Sequence, residues 1–391
     1  MKKITLLALA AAVAVQTGCD RLRRPPSPGL SVENGTFVLN GRPYRGVGVN
    51  YYDLFLRLRA NPHDETTLQN LDRLARAGVP FVRFNAGGFS DKDWTRWKDD
   101  PTGHFVAMDR VVRAAESSGI GLIPSFFWTS QLTRTAGERK QAWGDPGSKT
   151  WALAREYLQE FVSRYRNSPA IWAWEFGNEW NLNADLPNAK DQRKPGEDQR
   201  DDLGSGHLSA AMQEFCKAVR ALDPKRPLMT GNSHPRCAAW HNTNQRSWSA
   251  DSFEQWTEIL HRDNALPLDT VGIHIYADTD APEVCGKWAT GWDDYLRKLK
   301  QFSVETKRPL IVGEFGLADG GKFSPAQTRE RYRDVLRAMG KAGVDLAALW
   351  VFDLPAQDGS WNVSFSNSRS YMIEDVIAAN REWSNRNTHQ P

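Results

Sequence analysis

Residues 171–181 read Ile171-Trp172-Ala173-Trp174-Glu175-Phe176-Gly177-Asn178-Glu179-Trp180-Asn181. The stretch opens as a mostly apolar run after Ser168-Pro169. Near-continuous apolarity fits a strand buried on both faces between helices. It closes on Gly177, Asn178 and Glu179. An amide and a carboxylate at the end of a buried strand are costly unless they face a cleft. In a parallel α/β fold, that end is where active sites are built.

Outward from this stretch, strand-like and helix-like patterns alternate. The strands fall at residues 44–50, 81–85, 122–127, the stretch from 171, 228–231, 270–276, 310–314 and 346–352. Helical patterns follow at 64–77, 105–118, 150–165, 206–222, 252–261, 292–306, 325–342 and 371–380. Eight such units predict a parallel sheet closed into a (β/α)8 TIM barrel, and 391 residues accommodate one barrel with insertions. Upstream, Asn34-Gly35 and Asn40-Gly41 mark turns of an N-terminal β-hairpin within 30–46. Residues 183–204 and 355–370 are expected as long loops on the catalytic face. No composition break divides residues 30–391 into separate domains.

The first 29 residues read differently. Lys2 and Lys3 precede an apolar run over 4–15, too short to span a bilayer as a mature helix, and Thr17-Gly18-Cys19 follows. The layout resembles a bacterial lipoprotein signal over 1–18, with Cys19 as the lipidated first mature residue. Gln16 stands where such signals usually carry an apolar residue. Residues 19–29, with Pro25, Pro26 and Pro28, read as a tether. This predicts an exported protein held to a membrane through Cys19, with ordinary secretion as the alternative. Of the remaining cysteines, Cys216 lies on the apolar face of a helix pattern, whereas Cys237 and Cys285 sit in loops after successive strands. An exported context permits a disulfide between those two. Net charge is +3, and no basic block is interleaved with aromatics, so nucleic acid is not an expected partner. No C-x-x-C or histidine cluster suggests a metal site, and no cofactor is implied.

The strand ends carry the chemistry. The seventh strand, Pro309-Leu-Ile-Val-Gly-Glu314, closes on a glutamate as the fourth does. Two carboxyls across a barrel mouth suit glycosidic cleavage, one donating a proton to the leaving oxygen and the other attacking the anomeric carbon. A separation of about 5–5.5 Å would mean retention of configuration. Arg83, near the end of the second strand, would hold Glu314 ionised. His274 and Tyr276 share one face of the sixth strand and point inward. Trp350, on the eighth, can floor a sugar ring. Trp128, Trp180 and Trp361 are candidates to extend an aromatic cleft.

Asn178-Glu179, His274-Ile-Tyr276, Glu314 and Trp350 together resemble glycoside hydrolase family 5, within a large clan of retaining (β/α)8 glycosidases. The resemblance covers about residues 30–380. It implies Glu179 as acid/base and Glu314 as nucleophile. It places Asn178 at the sugar 2-hydroxyl, Arg83 and Tyr276 around the nucleophile, His274 near the acid/base, and Trp350 beneath the sugar. Many members carry a His in the strand-three region; here Ile123-Pro-Ser-Phe-Phe-Trp128 offers none. This and Gly46-Val-Gly-Val-Asn-Tyr-Tyr52 resemble mannanase-type branches. The leading expectation is therefore an endo-acting retaining hydrolase of a β-linked polysaccharide or oligosaccharide, β-mannan first. A β-1,4-glucanase or an exo-acting β-glycosidase of the same family is the alternative. Two further classes stand outside the family's chemistry: a non-catalytic carbohydrate-binding lipoprotein and a metal-dependent barrel hydrolase.

Overall fold

The computed structural model describes residues 29–277, 288–320 and 322–387. Three short strands come first: β1 (Leu30–Glu33), β2 (Thr36–Leu39) and β3 (Arg42–Pro43). They pair antiparallel, so the expected hairpin is a three-stranded meander. Asn34, Gly35, Asn40 and Gly41 all have positive φ, as tight two-residue turns require.

The barrel strands are β4 (Gly46–Asn50), β5 (Phe81–Asn85), β6 (Gly121–Phe127), β7 (Trp174–Gly177), β8 (Leu228–Met229), β9 (Val271–Tyr276), β10 (Leu310–Gly316) and β11 (Leu346–Leu349). They form one parallel eight-stranded sheet in the order β8-β7-β6-β5-β4-β11-β10-β9. Its two edges meet through single hydrogen bonds, Asp269 N to Leu228 O at 3.1 Å and His234 N to His274 O at 3.3 Å. The result is a nearly closed (β/α)8 barrel. A helix stands in every connection where the alternation predicts one. The β4–β5 and β5–β6 connections hold extra ones, Leu54–Ala60 and Asp91–Asp99. The latter starts at a Ser90–Asp93 capping box among polar residues that read as loop.

Alternation along the strands builds the interior in layers. Phe81, Ile123, Ala173, Met229, Ile311 and Leu346 pack in the floor, which Leu30 and Phe37 of the N-terminal sheet close from below. Val82, Leu122, Val312 and Ile273 belong to the outer core beneath the helices. Two residues above the floor positions, the inward side chains become polar: Arg83 above Phe81, Ser125 above Ile123, Glu175 above Ala173. That switch marks the C-terminal mouth.

Candidate active site

Glu314 reaches the mouth through a break in alternation. With Ile311 inward and Val312 outward, strict period-two register would turn Glu314 away from the lumen. Against β9 a register shift falls between Val312 and Glu314 and puts Glu314 opposite His274; against β11 the shift falls between Val312 and Phe315. The extra residue is Gly313, and it returns Glu314 to the inside. A Cβ on Gly313 would stand 2.7 Å from His274 Nε2, so the close approach needs glycine there.

Glu179 reaches the mouth by a turn. Its φ is 52°, left-handed and uncommon for a residue with a side chain. The Glu179 N–H donates to Gly231 O at 2.8 Å, and the Leu182 N–H donates to Glu179 O at 3.1 Å. The two carboxylates meet around His274. Its Nδ1 lies 3.1 Å from Glu179 Oε1 and 3.6 Å from Glu314 Oε2. One oxygen of each glutamate and a ring nitrogen of His274 all lie within 4.8 Å of one another.

Arg83 organises the layer below. Its Nη1 donates to Glu314 Oε1 at 2.8 Å and to Asn50 Oδ1 at 2.9 Å, while Nε donates to Glu175 Oε1 at 2.7 Å. Its Nη2 donates to Asn178 Oδ1 at 2.9 Å. The Tyr276 hydroxyl donates to Glu314 Oε2. Burial, Glu314 and Glu179 all push the Tyr276 pKa far above its ordinary value, so it stays a donor. Burial also raises the Glu314 pKa; His274 and Arg83 pull against it, Glu179 adds to it, and the Tyr276 bond pulls against it. Arg83 thus partly offsets burial at Glu314 while serving a second buried carboxylate, Glu175. Sequence reading passed over Glu175. Its signal was present: a charged residue inside a run of buried aromatics needs a partner in the barrel.

The aromatic candidates divide. Trp350 and Trp361 are half-buried at the mouth. Trp350 donates from Nε1 to Gln357 Oε1 at 3.1 Å, and Trp361 packs edge-on against Tyr276 with ring centres 5.0 Å apart. Trp128 and Trp180 are more buried, at 7% and 4% exposure, and both line the cavity beside Asn178. Trp128 is covered by the Arg83 guanidinium at 4.7 Å and by Tyr52 at 4.8 Å. Trp180 is pinned through Nε1 to Phe127 O at 2.6 Å and packs on Trp143 and Phe176. Both stand in the wall of that cavity. The loop over 183–204 stands beside them, tied down by Arg193–Asp202 and Lys140–Glu197 ion pairs. With Asn178, Trp128 and Gln131 it encloses a polar cavity of about 400 Å³. Cys237 is disulfide-bonded; Cys285 and Cys19 lie outside the described residues. Cys216 is free and buried, as its helix pattern implied.

Sequence spacing suggests no metal site, yet among the described residues folding assembles one possible donor set: Glu179, His274 and Glu314. The surroundings fit it poorly to a cation. Glu314 already accepts from Arg83 and Tyr276, and the buried guanidinium 2.8 Å away would repel a second positive charge. The same set suits a proton donor and an anionic nucleophile sharing one space.

A barrel with two carboxyls facing each other across its mouth, one just past β7 and one on β10, has the layout of the retaining barrel glycosidases. The chain belongs to glycosyl hydrolase family 5: the family model described as "Cellulase (glycosyl hydrolase family 5)" matches residues 45–352. It is a glycoside hydrolase. Among its relatives, mannan endo-1,4-beta-mannosidase 5 of Arabidopsis thaliana is 24% identical over 354 residues, covering 80% of this chain and 75% of that protein. Mannan endo-1,4-beta-mannosidase 1 of Solanum lycopersicum is 25% identical over 370 residues, covering 84% and 83%. Among solved structures, the endo-1,4-beta-mannanase of Rhizomucor miehei superposes with a TM-score of 0.65 at 15% identity, over 91% of this chain and 99% of that one.

Proposed function

We propose that this protein is an endo-acting retaining β-1,4-mannan hydrolase. The observation that carries the chemistry is the Glu179–His274–Glu314 cluster, with its donor atoms within 4.8 Å of one another. The substrate class is supported by the names of the relatives, each a mannan endo-1,4-beta-mannosidase. Glu179 protonates the glycosidic oxygen as that bond to the anomeric carbon breaks, and a Glu314 oxygen attacks the same carbon from the opposite face. The leaving sugar departs as an alcohol, and a glycosyl ester on Glu314 remains. Glu179, now a carboxylate, takes a proton from water. The hydroxide equivalent attacks the anomeric carbon and frees Glu314, so two inversions retain configuration. Tyr276 and Arg83 hold the nucleophile in place. Trp350 floors the reacting sugar. Asn178, its oxygen held by Arg83, turns its amide NH2 to the sugar 2-hydroxyl.

We further propose export and lipid anchoring through Cys19. The signal-like residues 1–18 support it, and the disulfide at Cys237 fits an oxidising compartment. Mass spectrometry of the membrane fraction tests this: a lipid-modified Cys19 is expected, and a soluble protein starting elsewhere would overturn it.

Sugar release from mannan, glucomannan and cellulose-type glucan by the protein from residue 20 onward, with Glu314→Ala beside it, tests the enzyme reading. Release from mannan lost in the variant is expected. Release only from the glucan would move the substrate assignment within the family.

A further inference from the structure

The turn that carries Glu179 is clamped from the neighbouring strand's loop. Residues Trp180–Asn183 form a single 3-10 turn directly after Glu179. The carbonyls ending such a turn lack partners within it. Here Asn181 O accepts a long bond from the Ala184 N–H at 3.4 Å, and one side chain supplies the rest. Arg236, in the loop after β8, donates from Nη1 to Asn181 O and Leu182 O, both at 2.8 Å, and from Nη2 to Ala184 O at 2.6 Å. Its Nε donates to Asn242 Oδ1 at 3.0 Å, which fixes the guanidinium plane. The same loop grips the turn a second time. Asn181 Nδ2 donates to Ser233 O at 2.8 Å, and the Ser233 N–H donates to Asn181 Oδ1 at 3.1 Å.

These contacts start two residues beyond a glutamate whose backbone sits in the left-handed region at φ 52°. Such a conformation persists only where its surroundings over-determine it. The groups that do so here are Gly231 O on one side and the Arg236–Ser233 clamp on the other. We propose that Arg236 is a positioning residue for the acid/base: by binding two carbonyls of the following turn and the one just past its end, it aims Glu179 at the leaving oxygen without touching substrate. The proposal rests on the reading of Glu179 as acid/base. Charge-assisted bonds from a planar fork suit this task better than a lysine, whose single ammonium offers no fixed plane to three acceptors.

A loosened turn misplaces the proton donor, and a misplacement of about 1 Å costs about 100-fold. The test compares Arg236→Ala, Arg236→Lys and Glu179→Ala on mannan and on a dinitrophenyl glycoside of the sugar that the wild type releases. The dinitrophenolate leaves with little protonation, so its kcat/KM reports attack alone. For Arg236→Ala we expect kcat/KM on mannan to fall about 10–100-fold and on the aryl glycoside less than about threefold, with the alkaline limb of the mannan pH profile displaced. Arg236→Lys, expected to fall between, gives the same ratio should the alanine variant fail to fold. Equal losses on both substrates with an unmoved alkaline limb would reduce Arg236 to a purely structural role and overturn the proposal, as would no loss at all. If Glu179→Ala itself lost both substrates equally, the acid/base reading would fall first. If Glu179→Ala discriminated and the Arg236 variants did not, only the clamp would fall.

Discussion

Arg83 and Glu314 form a buried ion pair, Nη1 to Oε1 at 2.8 Å, with neither side chain more than 3% exposed. The same guanidinium reaches Glu175 at 2.7 Å, so one cation serves two buried carboxylates on different strands. Removing it would leave both charges unpaired. Arg83→Ala is expected to destabilise the fold by about 3–5 kcal/mol and to abolish hydrolysis. Arg83→Lys should recover part of the stability but little activity, because a single ammonium cannot serve Glu175, Glu314 and Asn178 together. Denaturant unfolding and a mannan assay check both.

The two glutamates should respond differently to a change of leaving group. Glu314→Ala is expected to lose turnover of every substrate. Glu179→Ala is expected to lose about 10²–10⁴-fold on mannan and to keep its attack step on aryl glycosides with good leaving groups. Steady-state kinetics on the substrate pair separates these roles. Substantial hydrolysis by Glu314→Ala would remove it as nucleophile.

Burial raises the Glu314 pKa against the pull of His274 and Arg83. The raised value keeps the protonated, non-nucleophilic form to higher pH. Activity therefore climbs as pH rises through that value, and the acid limb of kcat/KM should lie above the ordinary glutamate value of about 4.3. Tyr276→Phe removes a donor that favours the ionised form and should move the limb further up. A limb at or below the ordinary value would contradict the assignment.

Gly313→Ala should act through His274. The added Cβ would meet Nε2 at 2.7 Å and Cδ2 at 3.0 Å, displacing the ring that lies between the two carboxylates. A loss of at least about tenfold in kcat is expected with the fold retained, measured by kinetics alongside circular dichroism.

Stability should show its own pH dependence through His104. The ring is buried against Tyr157, with Nε2 3.0 Å from the hydroxyl, and burial lowers its pKa from 6.5 to about 3. Below 6.5 the unfolded chain takes up a proton that the folded chain refuses. Stability is therefore whole above 6.5 and is lost as pH falls toward 3, by at most about 5 kcal/mol from this group. His104→Gln should flatten that slope in urea titrations at stepped pH.

The barrel was legible in the sequence because its signal is local and repeated. Each of eight apolar strands is followed by a helix, and periodicity survives without knowledge of partners. The two glutamates were legible for a related reason: a charge closing a buried run has few places to go except the mouth. The meander at the N-terminus was read one strand short, since β3 is only Arg42–Pro43 and carries no pattern of its own.

What only the tertiary structure decided are the relations that depend on register and on partners far apart in the chain. Strict alternation along β10 would turn Glu314 away from the lumen, and only the bulge at Gly313, seen in pairing with β9 and β11, returns it. Glu175 reads as one charge in an aromatic strand until Arg83, 92 positions earlier, is found against it. Trp128 and Trp180 read as aromatic cleft residues, and how much of each ring lines the cavity and how much is packed away is a property of the assembled surface. Chain chemistry and periodicity were enough for the architecture and for singling out Glu179 and Glu314, whereas the way both reach one mouth, and the groups that surround them there, come from contacts between residues that no local pattern links.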